Sequence, residues 1–348
     1  MFFIQSEMIK VTALTSGKNV PSSRFRVRQF IRPLSSLGIQ VSEYPLWLRK
    51  YTPRSFPPLR HLGDACKALA RLPGLLASRS NDITWLEREL VPGRSTLERL
   101  AGRRQVFDVD DAIWLNSNSS FSEEIARRSA GVIAGNQFLA EHYHGLAARV
   151  WVVPTSIDTN LWKPLPGRKE NESWVMGWIG TSSTLPYLYS VEEPLADFLV
   201  QNPASKLHVI CDLKPSFKRI PTASWRFAPW SAESELRQVQ EMDVGLMPLP
   251  DTEWARGKCA FKMISYMAVG APVIVSPIGT NKDILQQAEV GLPAATDNDW
   301  FEALELLFRD RQRASTLGQA GRKLVEDSYS VNKNASLLAS IFEEVSSL

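Results

Sequence analysis

The sequence is short of the features that mark several protein classes. Its 348 residues include three cysteines, Cys66, Cys211 and Cys259. No two of them form a Cys-x-x-Cys pair, which excludes a disulfide framework and a zinc knuckle. There are four histidines. His142 and His144 are two apart and so on different faces of a helix, while His61 and His208 have no partner in the sequence. No apolar run approaches the ~20 residues that span a bilayer, and the opening MFFIQSEMIK sets an acid where a signal peptide keeps its apolar stretch. A soluble, cytoplasmic protein is the expectation. Low-complexity tracts and repeats of about 20 to 50 residues are missing as well.

What is present is enough for a sizeable core: 44% of residues are hydrophobic, 22% are charged and 11 are tryptophan. The net charge of +3 conceals a split. Residues 1–165 carry 22 Lys and Arg against 14 Asp and Glu, a net +8, and residues 166–348 carry 18 against 23, a net −5. Such asymmetry suggests two bodies, the front one with an anionic partner. Nucleic acid is not expected, because no recognition module is present and the whole chain is close to neutral.

Short apolar runs alternate with helical stretches along the whole chain. In the front half IKVTALT, IQVSEYPL, DITWLE, RQVFDVDD, GVIAG and RVWVVPT read as strands, and SSRFRVRQFIRPLSSLG, SSFSEEIARRS and NQFLAEHYHGL as helices. After LWKPLPGRKENES, a polar stretch rich in Pro that reads as a hinge, strands recur at WVMGWIG, KLHVICD, DVGLMPLP, PVIVSPIG and VGLPAAT. AESELRQVQEM, CAFKMISYMAVG and WFEALELLFRDRQRASTLG read as helices, the last as one long element. The pattern predicts an α/β protein of two doubly wound, Rossmann-like domains over 1–165 and 166–330. A terminal helix over 331–348 could return to the first domain, and ligands are expected where strand C-termini face a shared cleft.

Asp243 to Leu285 is the most informative stretch. Arg256, Lys258 and Lys262 gather near a helix start, and Gly279, Thr280 and Asn281 open the next helix. Fixed cations beside free N–H groups suit a diphosphate, although a basic helix also serves as a plain solvated face. Spacing of four sets Lys258 and Lys262 on one helical face. In FDVDDAIW, Asp108 and Asp110 share a strand face and could both enter the cleft; capping of the next helix is the alternative for Asp110 or Asp111. The pair lacks a third ligand for a metal. Gly17, Ser23, Arg24 and Arg28 follow the first strand, with the arginines one helical turn apart. Residues 46–79 mix Trp47, Tyr51, Phe56 and several leucines with seven cations and one acid, which suits an anionic lipid surface or an ordinary amphipathic helix pair. Trp47, Trp114, Trp178 and Trp254 are candidates for stacking on a sugar or a base.

The order of these pieces resembles the GT-B glycosyltransferases, in particular the retaining glycosyltransferase family 4. The words that carry it are DVGLMPLP, KCAFKMISYMAVGAPVIVS, PIGTNKDIL and GWIGTSSTLPYL, with SSRFRVRQFIRPLSSLGIQV, VFDVDDAIW and VIAGNQFLAEHY to WVVPTSIDTNLW in the front half. The resemblance covers the chain from about Met8 to about Leu338. It implies sugar transfer from a nucleotide diphosphate sugar to a glycan or lipid-linked acceptor held by the first domain, with retention and without metal or other cofactor. Surface polysaccharide or lipopolysaccharide synthesis at the cytoplasmic face of a membrane is the implied setting.

By the same resemblance, Asp108, Asp110 and Glu253 are the catalytic candidates. Arg256, Lys258, Lys262, Ser265, Gly279, Thr280, Asn281, Gly180 and Thr181 would take the donor, and Gly17, Ser23, Arg24 and Arg28 would face the acceptor. The chain also departs from the family. Two acids eight apart are replaced by Gly257 and Ser265, with Glu253 a substitute for the first, and an arginine after the first strand of the second domain is replaced by Trp178. A catalytically weakened scaffold that binds a nucleotide or a partner protein is therefore the alternative.

Overall fold

The computed structural model describes residues 8–48, 57–102, 104–116, 120–166 and 173–348, with 57–61 as backbone. Contacts divide the chain into two compact units. The first is Met1–Ser156 with Gly257–Cys259 and Val331–Leu348; the second is Ile157–Arg256 with Ala260–Ser330. Of the expected hinge, 167–172 lies outside the described residues, and 161–166 packs with the second unit. There Arg322 gathers the carbonyls of Thr159 at 2.8 Å, Ala268 at 2.6 Å and Trp162.

The first unit is built on β1 (Ile9–Thr15), β2 (Ile39–Pro45), β3 (Ile83–Glu87), β4 (Gln105–Val109), β5 (Gly131–Ala134) and β6 (Val150–Val152). All pairings are parallel, in the order β2-β1-β3-β4-β5-β6. Every residue of β3, β4 and β5 is buried, as a parallel sheet covered on both faces requires. On one face Val11, Trp85 and Val106 meet Leu338, Phe342 and Val345 of helix Val331–Ser346. Trp85 and Phe342 meet edge to face at 5.1 Å. On the other face Leu14, Phe107 and Val132 pack with Tyr143.

The second unit holds β7 (Trp174–Ile179), β8 (Ser205–Cys211), β9 (Trp225–Pro229), β10 (Val244–Met247), β11 (Val273–Val275) and β12 (Gly291–Pro293), parallel in the order β12-β11-β10-β7-β8-β9. Counted within the unit this is the dinucleotide-fold order 3-2-1-4-5-6. The α/β class expected from the sequence is the one observed. A strand and a helix of this unit differ from the sequence expectation. WRFAP forms edge strand β9 although it is only half-buried and contains Arg226 and a terminal proline, so it has no apolar run to announce it. The long helix expected after Asp299 is two, Asp297–Arg309 and Arg311–Leu324, because the Asp310 side chain accepts from Arg313 N at 2.8 Å and starts a new one.

Strand order reverses between β1 and β3 in the first sheet and between β7 and β10 in the second. Loops leaving the strand C-termini at such reversals are where open α/β sheets take ligands. Among the described residues no helix is long and apolar enough to cross a membrane.

Candidate functional site

At the reversal in the second unit, β7 ends at Ile179 and the chain turns through Gly180 and Thr181 into a short turn over Ser182–Thr184. Thr181 N donates to Thr184 Oγ1 at 3.2 Å, and Asp212, just past β8, accepts from Ser182 N at 2.5 Å and Oγ at 2.9 Å. Tyr266 ties this corner to helix Phe261–Ala268: its hydroxyl accepts from Ile179 N at 3.0 Å and donates to Leu246 O at 3.4 Å. Burial holds the Tyr266 phenol protonated by raising its pKa.

Lys262 stands on the first turn of that helix. Its Nζ lies 3.3 Å from Thr184 Oγ1 and 4.4 Å from the centre of the Trp178 ring. Ser265, one turn on, is buried and donates to Phe261 O at 2.8 Å. Gly279 has φ +51°, and a Cβ there would stand 2.6 Å from Arg256 O, so glycine is required on two counts. It opens helix Thr280–Gln287, whose Asn281 is buried and donates to Ser276 O at 3.2 Å. Arg256 and Glu253 are exposed on the short helix Glu253–Arg256, and Arg256 Nε donates to Asp251 at 2.8 Å.

The structure corrects the expected pairing of Lys258 with Lys262. Gly257–Cys259 belongs to the first unit, the helix begins at Phe261, and Ala260 between them is left-handed with φ +52°. The two lysines therefore share no helical face. Within the first unit Asn136 Nδ2 donates to Gly257 O and Lys258 O, each at 3.2 Å. Cys259 Sγ donates to Asp110 O at 3.2 Å, and Lys258 Nζ lies 3.7 Å from Asp111. A Cβ on Gly257 would stand 2.7 Å from that of Ala112, so a side chain at this position has no room.

The first-unit carboxylates do not share a face either. Asp108, one residue before the end of β4, lies in the core, 1% exposed, and accepts from Arg26 Nε at 2.9 Å and Trp85 Nε1 at 3.0 Å. Burial pushes its carboxyl up to about 6 against the lowering pull of Arg26. Asp110 lies beyond the strand and accepts from Arg88 Nε at 2.5 Å, while Arg88 Nη2 donates to Asp111 at 2.5 Å. Arg88 is left-handed, φ +60°. Burial works against its charge, and the two aspartates outweigh burial and raise its pKa.

After β1, Gly17 N donates to Ser23 Oγ at 3.2 Å, and Ser23 Oγ donates to Glu87 at 2.8 Å. Ser23–Val27 forms a wide π-helical turn rather than the expected α-helix. Arg24 lies over the Phe25 ring at 4.8 Å, whereas Arg28 grips Glu43 at 2.6 and 2.9 Å. The two arginines thus serve different partners. The sequence reading missed Glu87, Arg88, Arg26, Asp212 and Tyr266. A signal existed for Glu87, since it ends its strand where Asp108 stands one residue before the end of the next, and the two are register partners.

Trp178 is fully buried, so it cannot stack on a ligand, and Trp114 is stacked on His142 at 3.7 Å. Of the basic stretch 46–79, residues 49–56 lie outside the described residues. Lys67 and Arg71 are buried rather than facing water, Arg71 donating to Thr15 O at 2.6 Å. Leu62, Leu69 and Leu76 are exposed by 62%, 63% and 65%.

No family model and no curated protein matches the sequence. Solved structures do match over nearly the whole length. Sucrose-phosphate synthase from Thermosynechococcus elongatus is similar with TM-score 0.70 and 14% identity, covering 97% of this chain and 99% of its own. HepE from Anabaena, in complex with UDP and glucose, is similar with TM-score 0.67 and 14% identity over 97% and 100%. WaaG, a glycosyltransferase involved in lipopolysaccharide biosynthesis, gives 0.67 and 12% over 96% and 99%. The chain has the GT-B glycosyltransferase fold.

Proposed function

We propose that the protein is a glycosyltransferase that moves a sugar from a nucleotide diphosphate sugar to a glycan or lipid-linked acceptor in surface polysaccharide or lipopolysaccharide synthesis. The observation that carries this reading is the GT-B match over 97% of the chain, including a structure that holds UDP and glucose. The second unit takes the donor: Lys262, the turn at Gly180 and Thr181, and the helix start at Gly279, Thr280 and Asn281 face developing charge on the leaving diphosphate, with the Asn281 N–H itself donating to Ile278 O at 3.2 Å. Arg256 and Glu253 stand at its edge. In the first unit Gly17, Ser23, Arg24 and Arg28 bound the acceptor side. Asp110 is the carboxylate offered to the reacting groups, while Asp108 holds Arg26. Retention of configuration and independence from metal follow the family resemblance.

Release of free sugar or transfer product over a panel of nucleotide sugars tests the reading, with Lys262→Ala as control. Activity with at least one donor, lost in the variant, supports it; an inert wild-type protein removes it.

A second reading has its own observation. Gly257 has no room for an acid, and Ser265 is buried with its hydroxyl turned to Phe261 O. Neither acid of the resembled pattern is replaced in place, which suits a scaffold that binds a nucleotide without turnover. Such a protein rises in melting temperature with UDP yet releases no sugar.

The apolar exposure of Leu62, Leu69, Leu76 and Trp47 supports peripheral contact with the cytoplasmic face of a membrane, with lipid tails rather than cations supplying most of the contact. Co-sedimentation with liposomes tests it: binding that survives high salt fits this contact, and no binding at low salt removes it.

A further inference from the structure

We infer that Trp178 is a positioning residue for Lys262, holding the ammonium by the face of its indole where the resembled pattern has an arginine. The inference rests on the reading of Lys262 as the cation that takes the donor diphosphate.

Trp178 lies on β7, two residues before the turn at Gly180, and its ring is fully buried among Met176, Leu185 and Leu188. The ring also covers the turn itself. A Cβ at Gly180 would stand 2.3 Å from the indole, so glycine there lets the ring lie flat beneath the start of helix Phe261–Ala268. Lys262 Nζ sits 4.4 Å from the ring centre and 3.3 Å from Thr184 Oγ1. A cation within about 6 Å of an indole centroid is attracted by the ring quadrupole.

The consequence is a difference in kind from the neighbouring cations. Arg256 is bonded to Asp251 and Lys258 lies by Asp111, and in both cases a carboxylate cancels much of the positive field. The contacts of Lys262 include an indole face and a hydroxyl, both neutral, which fix where the ammonium stands. A lysine has four rotatable bonds to order, and a preformed position removes that cost from ligand binding. Trp178 thus acts through Lys262 and never touches the ligand.

The experiment is calorimetric titration of UDP into the wild type, Trp178→Phe, Trp178→Leu, Lys262→Met and the Lys262→Met/Trp178→Leu double variant, each checked by thermal melting. Trp178→Leu should weaken UDP about tenfold and Trp178→Phe, which keeps a weaker quadrupole, about threefold. With methionine at 262 the leucine substitution should have no further effect. If Trp178→Leu does not fold, the Phe variant carries the test, its loss vanishing in the Lys262→Met background. Unchanged affinity in the Trp178 variants, or an equal loss with Met at 262, overturns the positioning role while the donor reading stands. A wild type that binds no UDP overturns both.

Discussion

At the reversal of the first sheet, between β1 and β3, charge is locked in pairs. Arg26 holds Asp108, Arg88 spans Asp110 and Asp111, Arg28 grips Glu43, and Glu87 takes Ser16 N at 2.7 Å along with Ser23 Oγ. At the reversal of the second sheet, between β7 and β10, the same topological position is lined by Gly180, Thr181, Thr184, Tyr266 and Gly279, and Lys262 rests on an indole. Paired charges fix a loop but neutralise one another. The difference is one of construction: ion pairs tie the first loop set, while small residues, a buried phenol and an indole build the second.

The sharpest way to break this contrast is to remove one member of each. Asp108→Ala leaves the Arg26 guanidinium buried without its counter-charge, a loss of about 3–5 kcal/mol of stability in urea unfolding. Replacing both members together, with Arg26→Met and Asp108→Leu, should recover most of it. Lys262→Met should shift stability by about 0.5–2 kcal/mol, the range of a cation–π contact, while it weakens UDP. A large stability loss in Lys262→Met would mean that the second reversal is held by charge as the first is.

A smaller effect is expected from restoring the missing acid. Gly257→Glu must push past Ala112 and should cost about 1–3 kcal/mol in thermal unfolding, without gain in turnover. A stable and more active variant would show that the loop yields, and the scaffold reading would lose its main support.

These tests turn on contacts that the chain does not announce. The layered fold was legible because strands of a covered parallel sheet are rich in apolar residues, as in WVMGWIG or GVIAG, and eleven of the twelve strands lie in segments that read as strands. The exception, WRFAP, is an edge strand whose exposed residues need not be apolar. The diphosphate candidates around Lys262 were legible for a related reason: a helix start and its cation are neighbours in sequence. Asp108 was not, because Arg26, which fills its carboxylate, lies 82 residues earlier. Helical spacing does not place Lys258, because the left-handed backbone of Ala260 breaks it before Lys262. Lys67 and Arg71 look like part of a basic surface in sequence yet are buried, since charge alone does not say which way a stem turns.

The two units also differ in how they meet acid. Asp108 has a folded pKa of about 6 against 3.8 unfolded, so its contribution is full below 3.8 and lost as pH rises through 6. His208, buried on β8 in the second unit, is lowered to about 4 by burial and then by Arg226. Between pH 4 and 6.5 the unfolded chain holds a proton on this residue that the fold refuses. Its contribution is therefore full above 6.5 and lost as pH falls toward 4. Acidification from pH 7 to 5 should loosen the second unit first, seen as faster amide exchange in β8 than in β4. His208→Gln should flatten the stability slope by at most about 1.4 kcal/mol per pH unit. Equal exchange in both sheets would remove the distinction.

The smallest expected effect bears most directly on the contrast. Lys258 and Lys262 are four residues apart and look equivalent in sequence, yet one faces Asp111 at 3.7 Å and the other an indole. If a counter-charge is what silences a cation here, Lys258→Ala should change UDP affinity less than about threefold. Lys262→Ala should cost about tenfold or more, as the loss of a charge-assisted hydrogen bond does. Asp111→Asn then releases Lys258, and in that background Lys258→Ala should gain an effect it otherwise lacks. Equal losses at 258 and 262 in the wild-type background would show that the paired lysine still reaches the nucleotide, and that balance of charge does not separate the two loop sets.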